Sequence, residues 1–463
     1  MSTKWYYLLI LASILPLPSF GQQLLAPSAS ELVDSALVHS HRLAIHEIDI
    51  AATATDIAKT KDIYLPNASI AGKYGFMAGN LNLSLPATTL PLANIAIPEI
   101  NTGLTNTANL VNAGLDLSAV LYTGGKAPAL RKATQYKQDA QRALSEKEKQ
   151  EVISTVSKAY DQLALLKQVK NVLDESKKRL EINTKTADKA LSYGLITKYE
   201  HQKIAVATAQ LEAKTQEYEG QRNLLLQQLH LLTDIHLERL SLIDKELLPY
   251  GNPNASDQID NRPELKALSA AIEAHKFQLK AANTWWIPKV QAGASVAYVN
   301  LFDIRMQGKD ALPLVGKPSI HANKFELAPM VNVGVGLKWD IFDGNKGRRE
   351  TQLAKLELSK AEHERQEAEE LLQLNLIKSN TDFDNSNNEI KTKYAQLQVV
   401  ENALQQANKE FKVGLIKSAD LIGAETDFQA ASLSYIQAIF DQRRHAVELL
   451  KATGDLTPQS IQE

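Results

Sequence analysis

The chain has 463 residues, a formal net charge of −2 at pH 7 and no cysteine. Its 51 basic and 53 acidic residues nearly balance, so it carries no basic footprint and nucleic acid is not expected as a partner. Without cysteine it can form no disulfide and can carry no lipid-modified cysteine. A chain of this length could form several ordinary domains, so its internal organisation has to be read from the order of its elements.

The N-terminal segment has the pattern of a secretory signal peptide. Lys4 provides the positive start, an apolar stretch follows, and Ser19-Phe20-Gly21 supplies the small residues of a cleavage site. The apolar stretch is too short to span a membrane as a helix. We therefore expect residues 1–21 to be removed and the mature chain to begin near Gln22, without a covalent lipid anchor.

The first half of the chain predicts one helix, two strands and two further helices. Apolar residues alternate with polar residues in both strands, which is the period of a strand with one apolar face. The helix after the second strand contains neither glycine nor proline over 65 residues. In chain order the elements are a helix (31–62), a strand (68–77), a loop (78–109), a strand (111–121), a long helix (129–193) and a shorter helix (195–232).

A connector at 235–262, which contains two prolines and a glycine, leads to a second half of the same design. Its long helix has 66 residues without glycine or proline, and the later part carries apolar residues at alternating steps of three and four. That heptad pattern predicts packing against neighbouring helices. The elements are a helix (263–285), a strand (290–301), a loop (303–328), a strand (330–342), the long helix (348–413), a helix (415–453) and a C-terminal tail (455–463).

The two halves match each other at a shift of 220 residues. The apolar positions of the strand at 111–121 coincide with those at 331–341, and Gly194-Leu195-Ile196 coincides with Gly414-Leu415-Ile416. Two unrelated coiled-coil segments are the alternative, but they would not match without a gap from the strand to the end of the helix. Residues 22–234 and 263–454 are therefore predicted to be tandem repeats that form one elongated body.

The strands favour a membrane location over a soluble β-sandwich. Residues 331–341 alternate cleanly over a length that suits a membrane-spanning strand, which needs about 9–11 residues. A sandwich would require a second sheet, and only two pairs of strands are predicted. Four strands cannot close a barrel, and an open sheet edge is not viable in lipid. The chain is therefore expected to oligomerise, and three copies would supply twelve strands.

The tandem repeat, the strand exits and the two Gly-Leu-Ile turns resemble those of TolC-like outer-membrane efflux proteins, the outer membrane factor family. The resemblance covers residues 31–454, and its most specific segment runs from Phe411 to Ala424. It implies a membrane α+β fold: a homotrimer with a twelve-stranded β-barrel, four strands per chain, in the outer membrane of a Gram-negative cell. A long coiled-coil α-helical barrel would continue the β-barrel into the periplasm.

The resemblance further implies a duct for efflux or type I-like export that catalyses no reaction. Its partners would be a periplasmic adaptor (membrane fusion) protein, an inner-membrane transporter and outer-membrane lipid. No cofactor or metal is expected, since the histidines are scattered and His363-Glu-Arg-Gln-Glu lacks the second histidine of a zinc helix motif. A periplasmic coiled-coil adaptor or scaffold is the alternative, although an adaptor would have one helical hairpin and no lipid-length strands. An enzyme is disfavoured because no catalytic constellation is present.

The turns that follow the two long helices are, by resemblance, the surfaces that contact the adaptor. Their glycines also suit the left-handed cap that commonly follows a helix C-terminus, and their leucine and isoleucine side chains are expected to be exposed. The predicted contact residues are Gly194, Leu195, Ile196, Thr197, Gly414, Leu415, Ile416, Lys417 and Ser418.

Asp420 and Glu200 lie at matching places after these turns, and the resemblance makes them candidates for a constriction at the periplasmic end. Three symmetry copies of Asp420 would form an acidic ring, and the first helical turn favours an anion there. Glu200 follows Thr197 at the capping-box spacing, so capping is its favoured role. A second acid and an arginine of the family pattern are replaced by Gly423 and Ile416, which puts a salt-bridged latch in doubt.

Overall fold

The computed structural model describes residues 25–90, 95–97, 99–311 and 316–461, and the predicted signal peptide lies outside them. Within these ranges, no helix is both long and apolar enough to cross a bilayer. The helices are α1 (Ala29–His39), α2 (His41–Asp62), α3 (Lys126–Ser192), α4 (Lys198–Thr233), α5 (Leu237–Ser241), α6 (Pro263–Ala282), α7 (Lys346–Lys412), α8 (Ser418–Thr453) and a 3₁₀ turn (Pro458–Ser460).

The predicted helix at 31–62 is in fact two helices. Ser40, between α1 and α2, has an extended backbone with φ −66° and ψ 109°. Its Oγ accepts a hydrogen bond from Leu43 N–H at 3.3 Å. Serine suits this capping role better than a helix interior, because its side chain competes for backbone hydrogen bonds. Hydrophobic periodicity does not detect such a break.

The long helices α3 and α7 each have 67 residues and begin two or three residues earlier than predicted. Pro128 lies in the first turn of α3, where its missing N–H removes no helical hydrogen bond. The return helices begin later than predicted, at Lys198 and Ser418, because the turns before them take up the intervening residues. Helix α6 ends at Ala282, short of the predicted 285.

The four long strands are about one and a half to two times as long as predicted. They replace most of the loops predicted at 78–109 and 303–328, and β6 ends four residues before the predicted end at 342. The bounds are β1 (Asn67–Leu85), β2 (Thr88–Leu90), β3 (Ile95–Ile97), β4 (Ile100–Tyr122), β5 (Lys289–Gly308) and β6 (Ser319–Lys338). The short strands β2 and β3 pair with each other, and the four long strands have 19 to 23 residues each.

The four long strands form one antiparallel sheet in the order β1–β4–β5–β6. Its central pair, β4 and β5, joins the first repeat to the second. Strands β1 and β6 are the edges, and no other strand of the described residues pairs with either outer side. A row of apolar residues crosses the sheet in direct register: Ile70, Leu115, Val296 and Val331.

The chain separates into two compact units. Among the described residues, one unit contains 25–48, 142–266 and 366–461, and it buries apolar side chains of α1, α3, α4, α7 and α8 in one core. The other contains Asp49–Gln141 and Ala267–Arg365, and it therefore holds the whole four-stranded sheet.

The connector is fixed to α8 by two buried side chains. Gln442 is fully buried; its side chain accepts a hydrogen bond from Tyr250 N–H at 2.8 Å and donates one to Tyr250 O at 2.9 Å. The neighbouring Arg443 donates a hydrogen bond to Leu248 O of the connector at 3.2 Å, and its guanidinium also lies 2.8 Å from the carboxylate of Asp161 on α3. Burial raises the pKa of Asp161, and the arginine opposes that rise. These contacts hold an otherwise irregular segment in one conformation.

The C-terminal tail, predicted at 455–463, packs against the same unit over its described residues, 455–461. Leu456 and Ile461 are buried in its core. The Asp455 carboxylate accepts hydrogen bonds from Ser256 N–H at 2.9 Å and Asn261 Nδ2 at 3.3 Å. Partial burial by itself would raise the pKa of Asp455, but these hydrogen bonds outweigh it and the pKa is lowered.

Candidate functional site: the helical tips and the open sheet

Each long helix ends in the same glycine turn. Gly194 and Gly414 have φ +68° and +78°, and each donates its N–H to the carbonyl three residues earlier, at 2.9 and 3.1 Å. The next residues, Leu195 and Leu415, donate to the carbonyl five residues earlier, at 2.8 and 2.9 Å. This is the hydrogen-bond pattern of a Schellman cap, which requires a residue that tolerates positive φ. The structure thus shows the left-handed caps that the sequence predicted.

Of the four apolar side chains predicted to contact the adaptor, the two leucines are exposed. Leu195 and Leu415 are 76% and 75% exposed. Ile196 and Ile416 are half-buried, so the expectation that all four side chains are exposed is wrong for the isoleucines. Each isoleucine packs on a cluster drawn from both repeats, because the chain turns back there toward the next helix. The cluster consists of Ala187, Ile204, Leu404, Ala407, Phe411 and Leu421.

The helices that leave the two tips are capped differently. Thr197 precedes α4, and its Oγ1 accepts a hydrogen bond from Glu200 N–H at 3.2 Å. Lys417 occupies the matching place before α8, and lysine has no side-chain acceptor. There the carboxylate of Asp420 accepts a hydrogen bond from Lys417 N–H at 3.2 Å. A complete capping box has both of these hydrogen bonds at one helix. Here the first repeat makes the bond to the side chain before the helix, and the second repeat makes the bond to the acid in its first turn.

The carboxylate of Glu200 does not make the predicted capping bond. Its Oε1 lies 3.5 Å from Lys203 Nζ, and its Oε2 is buried without a partner among the described residues. Asp420 is exposed, whereas Ser418, at the start of α8, is buried. The capping carboxylate is thus Asp420, and both acids stay candidates for a constriction.

An ion pair that the sequence analysis missed joins α3 of the first repeat to α8 of the second. Arg179 Nε and Nη2 donate to the two carboxylate oxygens of Glu425 at 3.0 and 2.9 Å, and the guanidinium lies 4.9 Å from the ring centre of Phe428. The sequence did contain a signal. Glu425 lies between Leu421 and Gln429 at steps of four, so a charge continues the buried face of α8 and requires a partner there.

Each long strand of the four-stranded sheet has one half that adjoins a helix along the chain. Over these halves, one face of the sheet is apolar and exposed. The opposite face of the same half is polar or glycine-rich, with Asp116, Ser295 and Asn332 in one cross-strand row. Soluble monomers rarely expose an apolar surface of this extent, so it marks a contact with lipid or protein. The most exposed side chains of this face are Ile70, Tyr74, Phe76, Val331, Val333, Val335 and Leu337.

These features provide binding surfaces. Among the described residues, no group of three or more His, Asp and Glu side chains lies in an arrangement that could hold a metal ion. The tips present apolar side chains on rigid caps, and the sheet presents an apolar face with two edges available for pairing. Such surfaces suit recognition of a helix, a strand or a lipid phase.

Comparison with known proteins gives one family. The family model for outer membrane efflux proteins matches residues 32–235 and 254–455, and no curated protein matches the chain. One similar solved structure is that of CusC, with 14% identity and a TM-score of 0.70 over 92% of each chain. CmeC of Campylobacter jejuni, an outer membrane channel, has 16% identity and a TM-score of 0.68 over 92% of this chain and 85% of that one. The outer membrane protein VceC of Vibrio cholerae has 16% identity and a TM-score of 0.66 over 92% and 96%. Since the family model covers both repeats, the chain belongs to the outer membrane efflux protein family.

Proposed function

We propose that three copies of this chain form an efflux duct across the outer membrane of a Gram-negative cell. Four strands from each copy would close a twelve-stranded β-barrel, and the long helices would continue it as a coiled-coil barrel into the periplasm. The family supports the efflux role. The observation that carries the assembly is the sheet, which combines an exposed apolar face with two edges.

The direction of the strands supports closure by further copies. Neighbouring strands alternate in direction across β1–β4–β5–β6, so the edges β1 and β6 run antiparallel to each other. The β6 edge of one copy can therefore pair with the β1 edge of the next and continue the same antiparallel ladder. A head-to-tail contact of this kind forms a ring when the rotation closes, and closure removes every edge from the lipid.

The helices also present apolar residues that one chain leaves in water. On α7 these residues recur at steps of three, which places them along one side of the helix. A neighbouring copy would cover them, as expected for helices in a barrel of coiled coils. They are Leu353, Leu356, Leu371, Leu374 and Ile377.

The partners proposed for this duct are a periplasmic adaptor at the tips and an inner-membrane transporter behind it. Leu195 and Leu415 support the adaptor contact because they are exposed on rigid caps with an apolar cluster behind them. Gly414→Val would weaken adaptor capture by straining the cap, since valine at positive φ is disfavoured, without preventing membrane insertion. Failure to insert together with full adaptor binding would reverse this assignment of the two ends.

We place the constriction at Asp420, with Glu200 as the second candidate. Asp420 is exposed, and three copies around an axis would form a ring that attracts cations at low ionic strength. Glu200 is the weaker candidate because its side chain is only 18% exposed and lies beside Lys203.

The assembly is tested on purified full-length protein with two adjacent substitutions in β6. Val333 lies on the apolar face, and Asn332 lies on the opposite face. Val333→Arg should impair membrane insertion, since arginine on the lipid face costs about 2–4 kcal/mol near the bilayer midplane. Asn332→Arg should insert and give trimers by light scattering. A wild-type protein that is monomeric in detergent, or two variants that insert equally well, would contradict the proposal.

A further inference from the structure

The long sheet changes its apolar face halfway along the strands. In the half that joins the helices, the apolar row Ile70–Leu115–Val296–Val331 defines one face, here called the Ile70 face. The other, called the Asp116 face, carries polar residues and glycine in that half. Side chains alternate between the two faces along every strand, so the cross-strand register assigns each residue of the other half to one of them.

In the distal half, which ends at Leu85, Ile100, Gly308 and Ser319, the apolar residues are on the Asp116 face. Cross-strand rows of that face now read Leu110–Leu301–Phe325 and Leu81–Leu104, and Met306 of β5 pairs with Asn106 on the same face. The Ile70 face has become polar over the same length. Its rows read Thr107–Arg305 and Asn80–Thr105–Gln307.

Two devices produce this change. In β1 and β4 the apolar residues switch parity, through the adjacent pairs Phe76-Met77 and Leu110-Val111. Between β5 and β6 the register shifts after Ala297. Between β4 and β5 it shifts at Asp303 of β5, whose φ is +51°, and this second shift keeps Met306 on the same face as Leu301. In all four strands the apolar residues therefore switch faces at nearly the same cross-strand row. A random loss of alternation would not align the switch in this way.

Aromatic residues mark the height of the change on the Ile70 face. Tyr74 and Phe302 lie with their ring centres 6.4 Å apart, and Phe76 lies in the next row of that face. Aromatic side chains collect where a membrane-spanning sheet leaves the hydrocarbon. At the helix-joined end, Trp339 donates its indole N–H to Trp286 O at 2.9 Å. A bilayer requires about 9–11 residues of each strand, so the distal half extends beyond it.

The distal part of the Asp116 face is where the sheet buries apolar side chains. Among the described residues, the buried apolar side chains of the long strands are Leu104, Ala108 and Ile304, at 8%, 5% and 9% exposure. All three belong to the central strands and to the distal half. On the edge strand β6, Phe325 of the same face is 53% exposed in the single chain. The central strands are thus covered by their own chain, and the edge is left open.

We propose that the distal halves of three copies extend outside the bilayer and converge on the axis through this apolar face, so that they form an apolar constriction at the outer mouth of the duct. The inference rests on the proposed trimer, in which the Asp116 face lines the lumen. Polar residues line that lumen within the membrane, whereas the distal half would expose apolar side chains to water unless other copies of the chain cover them. A hydrophobic constriction of this kind resists the passage of water and ions by dewetting.

The absence of cysteine from the chain permits a clean labelling experiment in intact cells. Three single variants are compared in β6. Phe325→Cys lies on the distal Asp116 face and Glu326→Cys on the Ile70 face. Val333→Cys lies on the Ile70 face in the half that joins the helices, where lipid would cover it. A membrane-impermeant maleimide is applied from outside. In the single chain both Phe325 and Glu326 are exposed. Slower labelling of Phe325→Cys would therefore report the assembly.

We expect Glu326→Cys to react readily, Val333→Cys to stay protected, and Phe325→Cys to react about tenfold more slowly than Glu326→Cys, because thiol reactivity follows access. Phe325→Cys should also form disulfide-linked dimers upon oxidation, since its copies face one another. Equal reaction rates for Phe325→Cys and Glu326→Cys would overturn the constriction while leaving the trimer intact. Glu326 pairs in the row of Tyr74, at the aromatic boundary, so Thr105→Cys, further out on the same face, serves as a second control. Protection of both Glu326→Cys and Thr105→Cys would place the distal half inside the bilayer and also overturn the constriction.

Failure of the proposed function gives a different result. If the sheet does not cross the membrane, Val333→Cys reacts as fast as Glu326→Cys, or the protein is monomeric in detergent. A conductance measurement supplies a second readout: Phe325→Ser should raise the single-channel conductance of purified trimer, and the adjacent Lys324→Ser should leave it near the wild-type value. Equal conductance in both variants and the wild type would also overturn the constriction.

Discussion

Gly454, the C-cap of α8, offers the sharpest stability test in the chain. It has φ +83° and lies against the connector, so a Cβ at this position would lie 2.8 Å from Asn261 C and 2.9 Å from Asn261 O. Ordinary carbon contacts are about 3.5–4.0 Å. Because the opposing atoms are backbone atoms, they cannot rotate away, and Gly454→Ala must displace the connector or the end of α8.

The destabilisation expected for Gly454→Ala has two contributions, and a matched control variant separates them. The left-handed conformation costs an alanine about 1–2 kcal/mol, and forcing a methyl group into a packed site adds about 1–3 kcal/mol. Gly414→Ala has the first contribution without the second, since φ is +78° and nothing lies within 4 Å of its Cβ position. At the matching position in the first repeat, Asp234 adopts φ +57°, so an L-residue is tolerated where there is space.

The assay compares thermal unfolding of wild type, Gly454→Ala and Gly414→Ala by far-ultraviolet circular dichroism at one scan rate. About 1 kcal/mol shifts the midpoint by roughly 2–4 °C in domains of 150–250 residues, so Gly454→Ala should unfold several degrees below Gly414→Ala. Equal midpoints for the two variants would refute the reasoning, because they would show that the connector does not press on Gly454.

The other predictions concern charged groups. Glu425→Ala should lower the free energy of unfolding by about 3 kcal/mol. This is the low end for a broken buried ion pair, because the Arg179 side chain is 25% exposed. A loss of less than about 1 kcal/mol, the value for an exposed ion pair, would contradict this prediction. Asp420→Ala should reduce cation selectivity in planar bilayers with asymmetric salt, and Glu200→Gln should change it less; the reverse order would show that the two acids are wrongly ranked. Asp455 has a lowered folded-state pKa, so its carboxylate stabilises the fold above the unfolded pKa and this contribution is lost as pH falls through the folded pKa. Asp455→Asn should therefore be less stable at neutral pH and lose less stability below about pH 4; an unchanged acid profile would argue against these hydrogen bonds.

Local periodicity was sufficient to predict the repeats, the long helices and the glycine turns. Helical spacing and the absence of glycine and proline are properties of consecutive residues, and α3 and α7 accordingly lie within a few residues of the predicted bounds. The predicted strands at 68–77 and 111–121 match the half of the sheet with the apolar Ile70 face. The remaining half was missed because the apolar residues change parity at Phe76-Met77 and Leu110-Val111, which a single period reads as the end of a strand.

Only the tertiary structure decided the contacts between residues distant in sequence. The bond of Arg179 to Glu425, the fixing of the connector by Gln442 and the packing of the C-terminal tail join segments whose separate patterns carry no information about their partners. The capping roles of Asp420 and Glu200 were decided in the same way, since matching positions in the two repeats differ in the residue before the helix. Sequence therefore determined the elements, because their hydrogen bonds are local or periodic, and the fold determined the partners, because pairing depends on which faces meet.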